Sequence, residues 1–194
     1  MPPAYRSFLK WSRTLHIFLT LLGLLLLLFF AVTGFLLNHE EWFGVYEPQT
    51  RTMQGSLPTG LLSEPDKLMV VEKLRSDFGA TGALDSFEVE EDTLRVVFKS
   101  PGRQTEASIR RAGGELEVTH QASGLLGRLA DLHRGKGSGA VWSLVIDSAC
   151  ILLMVISLTG VILWLSLQTR RWLGLVAVTI GLTVCLAVYF VFVP

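Results

Sequence analysis

The sequence predicts a membrane protein, an α-helical bundle of three transmembrane helices with a small α+β module between the first and second of them. Three observations predict it. Half of the 194 residues are hydrophobic and the mean hydropathy is +0.47, well above that of a chain folding in water alone. Three apolar runs, 15–37, 140–167 and 172–193, are long enough at about 1.5 Å per residue to cross a hydrocarbon core of about 30 Å. Residues 39–139 are polar and show one helical period followed by strict alternation.

The first run is interrupted by His16, Thr20, Gly23, Thr33 and Gly34 alone. Arg6, Lys10 and Arg13 precede it as they would a secretory signal, but it outlasts a signal core and leads into "NHEEWFG" without a small-x-small cleavage site. It reads as a retained anchor. Residues 1–14 and 168–171 carry five arginines and lysines and no acid, whereas 38–139 hold sixteen acids against twelve bases. By the positive-inside rule the N-terminus and the "QTRRW" loop are cytoplasmic, and the middle segment and C-terminus are outside. The chain therefore divides into 1–38 (cytoplasmic N-terminus and first span), 39–139 (external module), 140–167 (second span) and 168–194 (cytoplasmic loop and third span).

Within the external segment, 45–62 ("VYEPQTRTMQGSLPTGLL") is rich in Pro, Gly, Thr and Gln and reads as an extended linker. Ser63 is the expected N-cap of an amphipathic helix with Leu68, Val71, Leu74 and Phe78 on one face and Gly79 as its stop. "LDSFEVE", "TLRVVFK", "QTEASIR" and "ELEVTHQ" then alternate with period two between short polar turns, which predicts an antiparallel meander covered by that helix. "GLLGRLADLHRGKGSG" clusters Leu125, Leu126, Leu129 and Leu132 at helical spacing, an interfacial helix whose Arg128 and Arg134 reach phosphates before the glycines bend the chain into the second span.

The chemistry narrows quickly. Cys150 and Cys185 lie inside apolar runs and cannot staple the module, and there is no C-x-x-C-H for covalent haem. No phosphate loop, H-E-x-x-H or G-x-S-x-G occurs, nor a dense basic patch for nucleic acid. The four histidines remain. His39 closes the first span and His133 precedes the second, so both belong at the outer boundary, where two imidazoles from neighbouring antiparallel helices can fill both axial positions of a haem iron. Phe35, Trp42, Phe43 and Trp142 would sheath a porphyrin, and Arg128, Arg134 or Lys136 would pair with its propionates. His16 falls at the opposite membrane face without a second histidine. His120 ends the last strand. Asp147, inside the second span, should face the bundle or a wet cavity, as a partner of a ligating imidazole or a proton relay. The alternative reading makes His16, His39 and His133 boundary anchors. "VTGFLL" and "LTGVILW" recur in the first two spans as close-packing signals.

"RTLHIFLTLLGLLLLLFFAVTGFLLNHEEW", "EKLRSDFGATGALDSFEVEEDTLRVVFKSPGRQTEASIRRAGGELEV" and "LLGRLADLHRGKGSGAVWSLVIDSACILLMVISLTGVILWL" together resemble, in order, the parts of the PepSY-associated transmembrane helix family over 13–165. The resemblance implies a bacterial inner-membrane protein with a periplasmic PepSY-like module. Larger relatives include ferrisiderophore reductases whose b-type haems are held between spans by histidine pairs. Carried over by position, His16 and His133 match the histidines that open two spans, and His39 the polar end of the first. The chain is about half the length of those reductases and lacks the histidines of their later spans. A homodimer or a membrane redox complex would complete the bundle.

Two principal readings follow. In one, the chain is a b-type cytochrome with one or two haems that passes electrons to a periplasmic acceptor such as a ferric chelate, as a metal or ferrisiderophore reductase; His39 and His133 are the axial ligands, His16 an inner-side ligand, Arg134 a propionate partner and Asp147 a supporting group. In the other, it is a haem-free accessory subunit whose PepSY-like module binds a periplasmic partner. Inhibition of a periplasmic protease by the module is a third.

Overall fold

A computed structural model describes residues 3–43, 48–63 and 65–194. The chain forms two compact units, one from residues 28–147 and one from 1–27 with 148–194.

The first unit contains the sheet module. Strands β1 (Gln49–Ser56), β2 (Ala83–Val89), β3 (Thr93–Ser100), β4 (Arg103–Arg110) and β5 (Glu115–Ala122) form one antiparallel sheet in the order β1-β5-β4-β3-β2. The four alternating segments are β2 to β5, as expected. Leu94, Val96 and Phe98 of β3, Ala107 and Ile109 of β4, and Leu116 and Val118 of β5 point to one face and are buried there. Helix α3 (Lys67–Phe78) covers that face with Val70, Val71 and Leu74. The opposite face carries ion pairs between neighbouring strands, Arg95 with Glu106 at 2.6 Å and Lys99 with Asp85 at 2.7 Å. Such exposed pairs add little stability and serve mainly to keep that face soluble.

Three local expectations are corrected. The segment read as a linker supplies β1, paired with β5 from Gln49↔Ala122 to Ser56↔Glu115, and Leu57 and Leu62 beyond it enter the core. β1 is an edge strand made by backbone hydrogen bonds, so its polar side chains gave no alternation to read; residues 45–47 of that segment lie outside the described residues. The N-cap of α3 is Asp66 and not Ser63: its carboxylate accepts the N–H groups of Leu68 (2.9 Å) and Met69 (3.4 Å). Val70, fully buried, takes the place expected of Leu68 on the buried face, Leu68 being 68% exposed in the first turn. Gly79 closes α3 in the left-handed region at φ 66°, as expected.

Helix α4 (Gly124–Arg134) follows β5 directly. Its Ala130, with Leu126 and Leu129, packs on Leu36 and Leu37 at the end of α1 (Pro3–Asn38). A single-turn helix, α2 (Glu40–Phe43), extends that end, and Glu40 meets Arg134 at 3.5 Å. The β3–β4 turn rests on α4: the Gly102 N–H donates to Asp131 Oδ2 at 2.9 Å.

In the second unit, α1 runs antiparallel to α5 (Gly139–Ser166), early residues of one meeting late residues of the other. Gly23 sits so close to Leu152 that a Cβ there would lie 2.5 Å from its Cδ2. Gly174 of α6 (Arg171–Phe192) gives similar room to the Trp164 indole. α6 is otherwise exposed along its length. Pro3–Asn38, Gly139–Ser166 and Gln168–Phe192 are each long and apolar enough to cross a membrane, and lipid is the medium that covers their exposed Leu, Val, Ile and Phe side chains.

Candidate functional site

His16 lies in the first half of α1 and His133 at the end of α4, just before α5; α1 and α5 each carry a Thr-Gly pair toward their C-terminal end, and the histidines meet the threonines. In the unit of residues 28–147, Thr33 of α1 is buried and its hydroxyl donates to the Phe29 carbonyl at 2.7 Å, the back-bonding habit of threonine in an apolar helix. His133, in the last turn of α4, places Nδ1 2.7 Å from that same oxygen. Since the single hydroxyl hydrogen goes to Phe29, the imidazole donates: Nδ1–H to Thr33 Oγ1. Gly34 leaves the ring its space, a Cβ there being 3.4 Å from His133 Cε1. Phe30 meets the ring edge-on at 5.3 Å, and Trp142 of α5 fixes the end of α4 by donating its indole N–H to the Leu132 carbonyl at 2.7 Å.

The other unit repeats the arrangement. Thr159 of α5 is buried and donates to backbone carbonyls of its own helix, Val155 at 2.8 Å and Ile156 at 2.9 Å. His16 Nδ1 lies 2.9 Å from Thr159 Oγ1 and 3.1 Å from the Ile156 carbonyl. A carbonyl can only accept, so Nδ1 carries the hydrogen here also. Gly160 gives the ring room, with a Cβ position 3.4 Å from His16 Cε1.

Both imidazoles are therefore held as the Nδ1–H tautomer, and neither Nε2 makes a hydrogen bond among the described residues. An imidazole whose N–H is fixed by an oxygen while the other nitrogen keeps its lone pair is the form that coordinates a metal. By donor chemistry each histidine fits one axial position of a haem iron. Among the described residues no group of three or more His, Cys, Asp or Glu side chains converges as a metal cage.

The remaining predicted residues lie apart. The structure brings His133 together with Thr33 and not with His39. His39 stacks on Trp42 at 3.9 Å and touches Phe35 at 4.6 Å. Phe35 and Trp42 are 57% and 72% exposed whereas Thr33 and Leu36 are buried, so this aromatic group occupies a different face of the helix end from the one that receives α4. Arg134 is engaged by acids, Glu40 and Asp131, each at 3.5 Å. Asp147 is exposed on α5, with no hydrogen bond or ion pair among the described residues. His120 pairs with the buried Thr105 hydroxyl at 3.0 Å and belongs to the sheet. Thr33, Thr159 and Asp131 are the residues whose roles the sequence did not disclose. The signal lies in a repeated order around the first two spans, Leu15-His16 then Thr33-Gly34 and Leu132-His133 then Thr159-Gly160, which only the fold turns into contacts.

The His133–Thr33 bond has a measurable weight. In a thermal-unfolding cycle of Thr33→Val and His133→Ala in the detergent-solubilised protein, the coupling should be about 0.5–1.5 kcal/mol, the range of side-chain hydrogen bonds between membrane helices. Strictly additive losses would show that the two groups do not act together.

No curated protein and no solved structure matches this chain. Residues 10–194 match the family described as "Putative PepSY_TM-like", which takes in both histidines, both Thr-Gly pairs, the sheet module and all three apolar helices, and the chain belongs to that family.

Proposed function

We propose that the chain is an inner-membrane b-type haem electron-transfer protein, with His16 and His133 as axial ligands and with its sheet module in the periplasm, delivering electrons to an acceptor there such as a ferric chelate. The observation that carries this reading is the matched state of the two imidazoles, each with Nδ1–H given to a buried threonine and Nε2 left with its lone pair. The orientation is supported by Arg6, Lys10, Arg13, Arg170 and Arg171 flanking the spans on one side.

Haem b, when bound, would carry one electron at a time between its ferric and ferrous states. The chain's residues provide the setting. The threonines fix ring orientation and tautomer, leaving the Nε2 lone pair for a ligand. Gly34 and Gly160 keep the ring edges free of side chains. The apolar spans exclude water, which sharpens every electrostatic interaction at the site. Each unit would offer one such nitrogen to a haem, and a second would have to be supplied by another copy of the chain or by a companion subunit.

The test is the absorption spectrum of the purified full-length protein. A Soret band that sharpens on dithionite reduction is expected, lost in the His16→Ala/His133→Ala double variant and kept in His39→Ala. A colourless protein that also fails to take up added hemin would overturn the reading.

A second reading, a haem-free accessory subunit whose module binds a periplasmic partner, is favoured by the same contacts taken as packing: His16–Thr159 and His133–Thr33 are hydrogen bonds from one helix to another. It predicts a colourless protein that co-purifies with a larger membrane assembly.

A further inference from the structure

Beside the start of α5, the end of the sheet and the α4–α5 loop enclose a polar hollow of about 490 Å³, lined among others by Lys99, Arg103, Gln104, Gln121, Ser123 and Lys136. Two acids also line it, and both are engaged. Asp85 pairs with Lys99 at 2.7 Å. Asp131 accepts the Gly102 N–H at 2.9 Å and meets Arg134 at 3.5 Å. The side chains of Arg103 and Lys136 have neither an ion pair nor a hydrogen bond among the described residues, and both residues are exposed. Two cations therefore line the hollow without an ion pair of their own among the described residues, and the lining carries three basic side chains against two acidic ones.

The neutral lining is of the same kind. Gln104 and Gln121 are direct cross-strand partners on β4 and β5, and Lys99 is the partner of Gln104 on β3, so one row of the sheet presents an ammonium and two amides. Ser123 stands at the N-cap of α4, but its hydroxyl makes no capping hydrogen bond to that helix and remains available. A planar guanidinium, an ammonium and amide donors around one space suit a tetrahedral oxyanion carrying a substituent.

We propose that this hollow binds a phosphate-bearing anion, with Arg103 and Lys136 supplying the charge and Gln104, Gln121 and Ser123 the neutral donors. The inference does not rest on the haem reading, since none of its residues is a hydrogen-bond partner of His16 or His133. Lys136 lies just before Gly139, where the second apolar helix begins. The phosphate can thus be that of an anionic lipid headgroup or of a soluble phosphate.

The full-length protein distinguishes the sources. In nanodiscs of phosphatidylcholine, inorganic phosphate should raise the melting temperature if the source is soluble. In detergent, native mass spectrometry should show retention of phosphatidylglycerol over phosphatidylcholine if the source is lipid. Either result supports the site, provided that Arg103→Gln/Lys136→Gln weakens the binding. Each basic residue at a charged surface is worth about a fivefold change, so the double variant should bind roughly twentyfold more weakly, while Arg103→Lys/Lys136→Arg should retain most of it. Melting without added anion checks that the variants fold, and Lys136→Glu, a loop change, serves as a second probe if the double variant does not. Absence of both responses in the wild type, or undiminished binding in the folded charge-removed variants, would overturn the proposal.

Discussion

Phe98→Ala is expected to destabilise the sheet module by about 3–5 kcal/mol, the usual range for removing a fully buried aromatic ring. Phe98 is 0% exposed in the centre of β3, between Leu84 of β2 and Thr105 of β4 in the ladders. Its ring is part of the cluster closed by Val70 and Leu74 of α3, and the Arg75 guanidinium lies 5.6 Å above it. A five-stranded sheet with one helix has a thin core, and its neighbours cannot collapse into the space because the helix above and the strands beside it are fixed by their own hydrogen bonds. A domain of ordinary stability holds about 5–15 kcal/mol in all, so this one change takes a large share. Hydrogen exchange of the β3 to β5 amides measures it directly: protection should fall together across the three strands, since they share the core. The apolar helices should stay in the membrane, because their insertion depends on their own hydropathy. A loss under about 1 kcal/mol would mean that the face covered by α3 is not the cooperative core.

How much of this was legible beforehand depends on the kind of signal each element carries. The three spans declare themselves by hydropathy, which needs no tertiary context. β2 to β5 declare themselves by alternation, because one face of each must be apolar to meet α3. β1 declares nothing: Gln49–Ser56 carries only Met53 as a large apolar residue, and what recruits it is the free edge of β5. The cap of α3 is hidden for a related reason. Ser63 and Asp66 are both good caps, and the choice fell to the residue whose carboxylate reaches Leu68 N–H and Met69 N–H. At the candidate site the histidines were visible as rare polar residues at apolar boundaries, but their partners were not. Thr33 and Thr159 look like ordinary small residues of membrane helices until the fold places one against an imidazole of α4 and the other against an imidazole of α1.

Gly102→Val is expected to release the module's β3–β4 turn from α4, at a cost of about 3–5 kcal/mol. Three effects act at one position. Gly102 has φ +72°, where a residue with a Cβ loses about 1–2 kcal/mol. Its added Cβ would lie 2.9 Å from Arg128 Cβ and 3.0 Å from Arg128 Cα and N, backbone of a helix that cannot yield, and overpacking of this kind costs about 1–3 kcal/mol. Any shift that relieves the overlap draws the Gly102 N–H away from Asp131, whose carboxylate it reaches at 2.9 Å, and hydrogen bonds to charged groups are worth about 1.5–3 kcal/mol. The three are not additive, since relief of one worsens another. Hydrogen exchange should rise in α4 and protease cleavage should appear in the turn, while the α3-covered core stays protected; Gly60→Ala, in a turn with open space around it, should do neither. Asp131→Asn keeps an acceptor for the amide and should give a smaller effect. The consequence reaches the candidate site because Asp131 and His133 share the last turn of α4. The turn that anchors the module also steadies the helix that presents His133 to Thr33. Displacement of the turn is therefore expected to reach His133 through one glycine and one carboxylate. Unchanged exchange in α4 of Gly102→Val would break that link and leave the module and the histidine as independent neighbours.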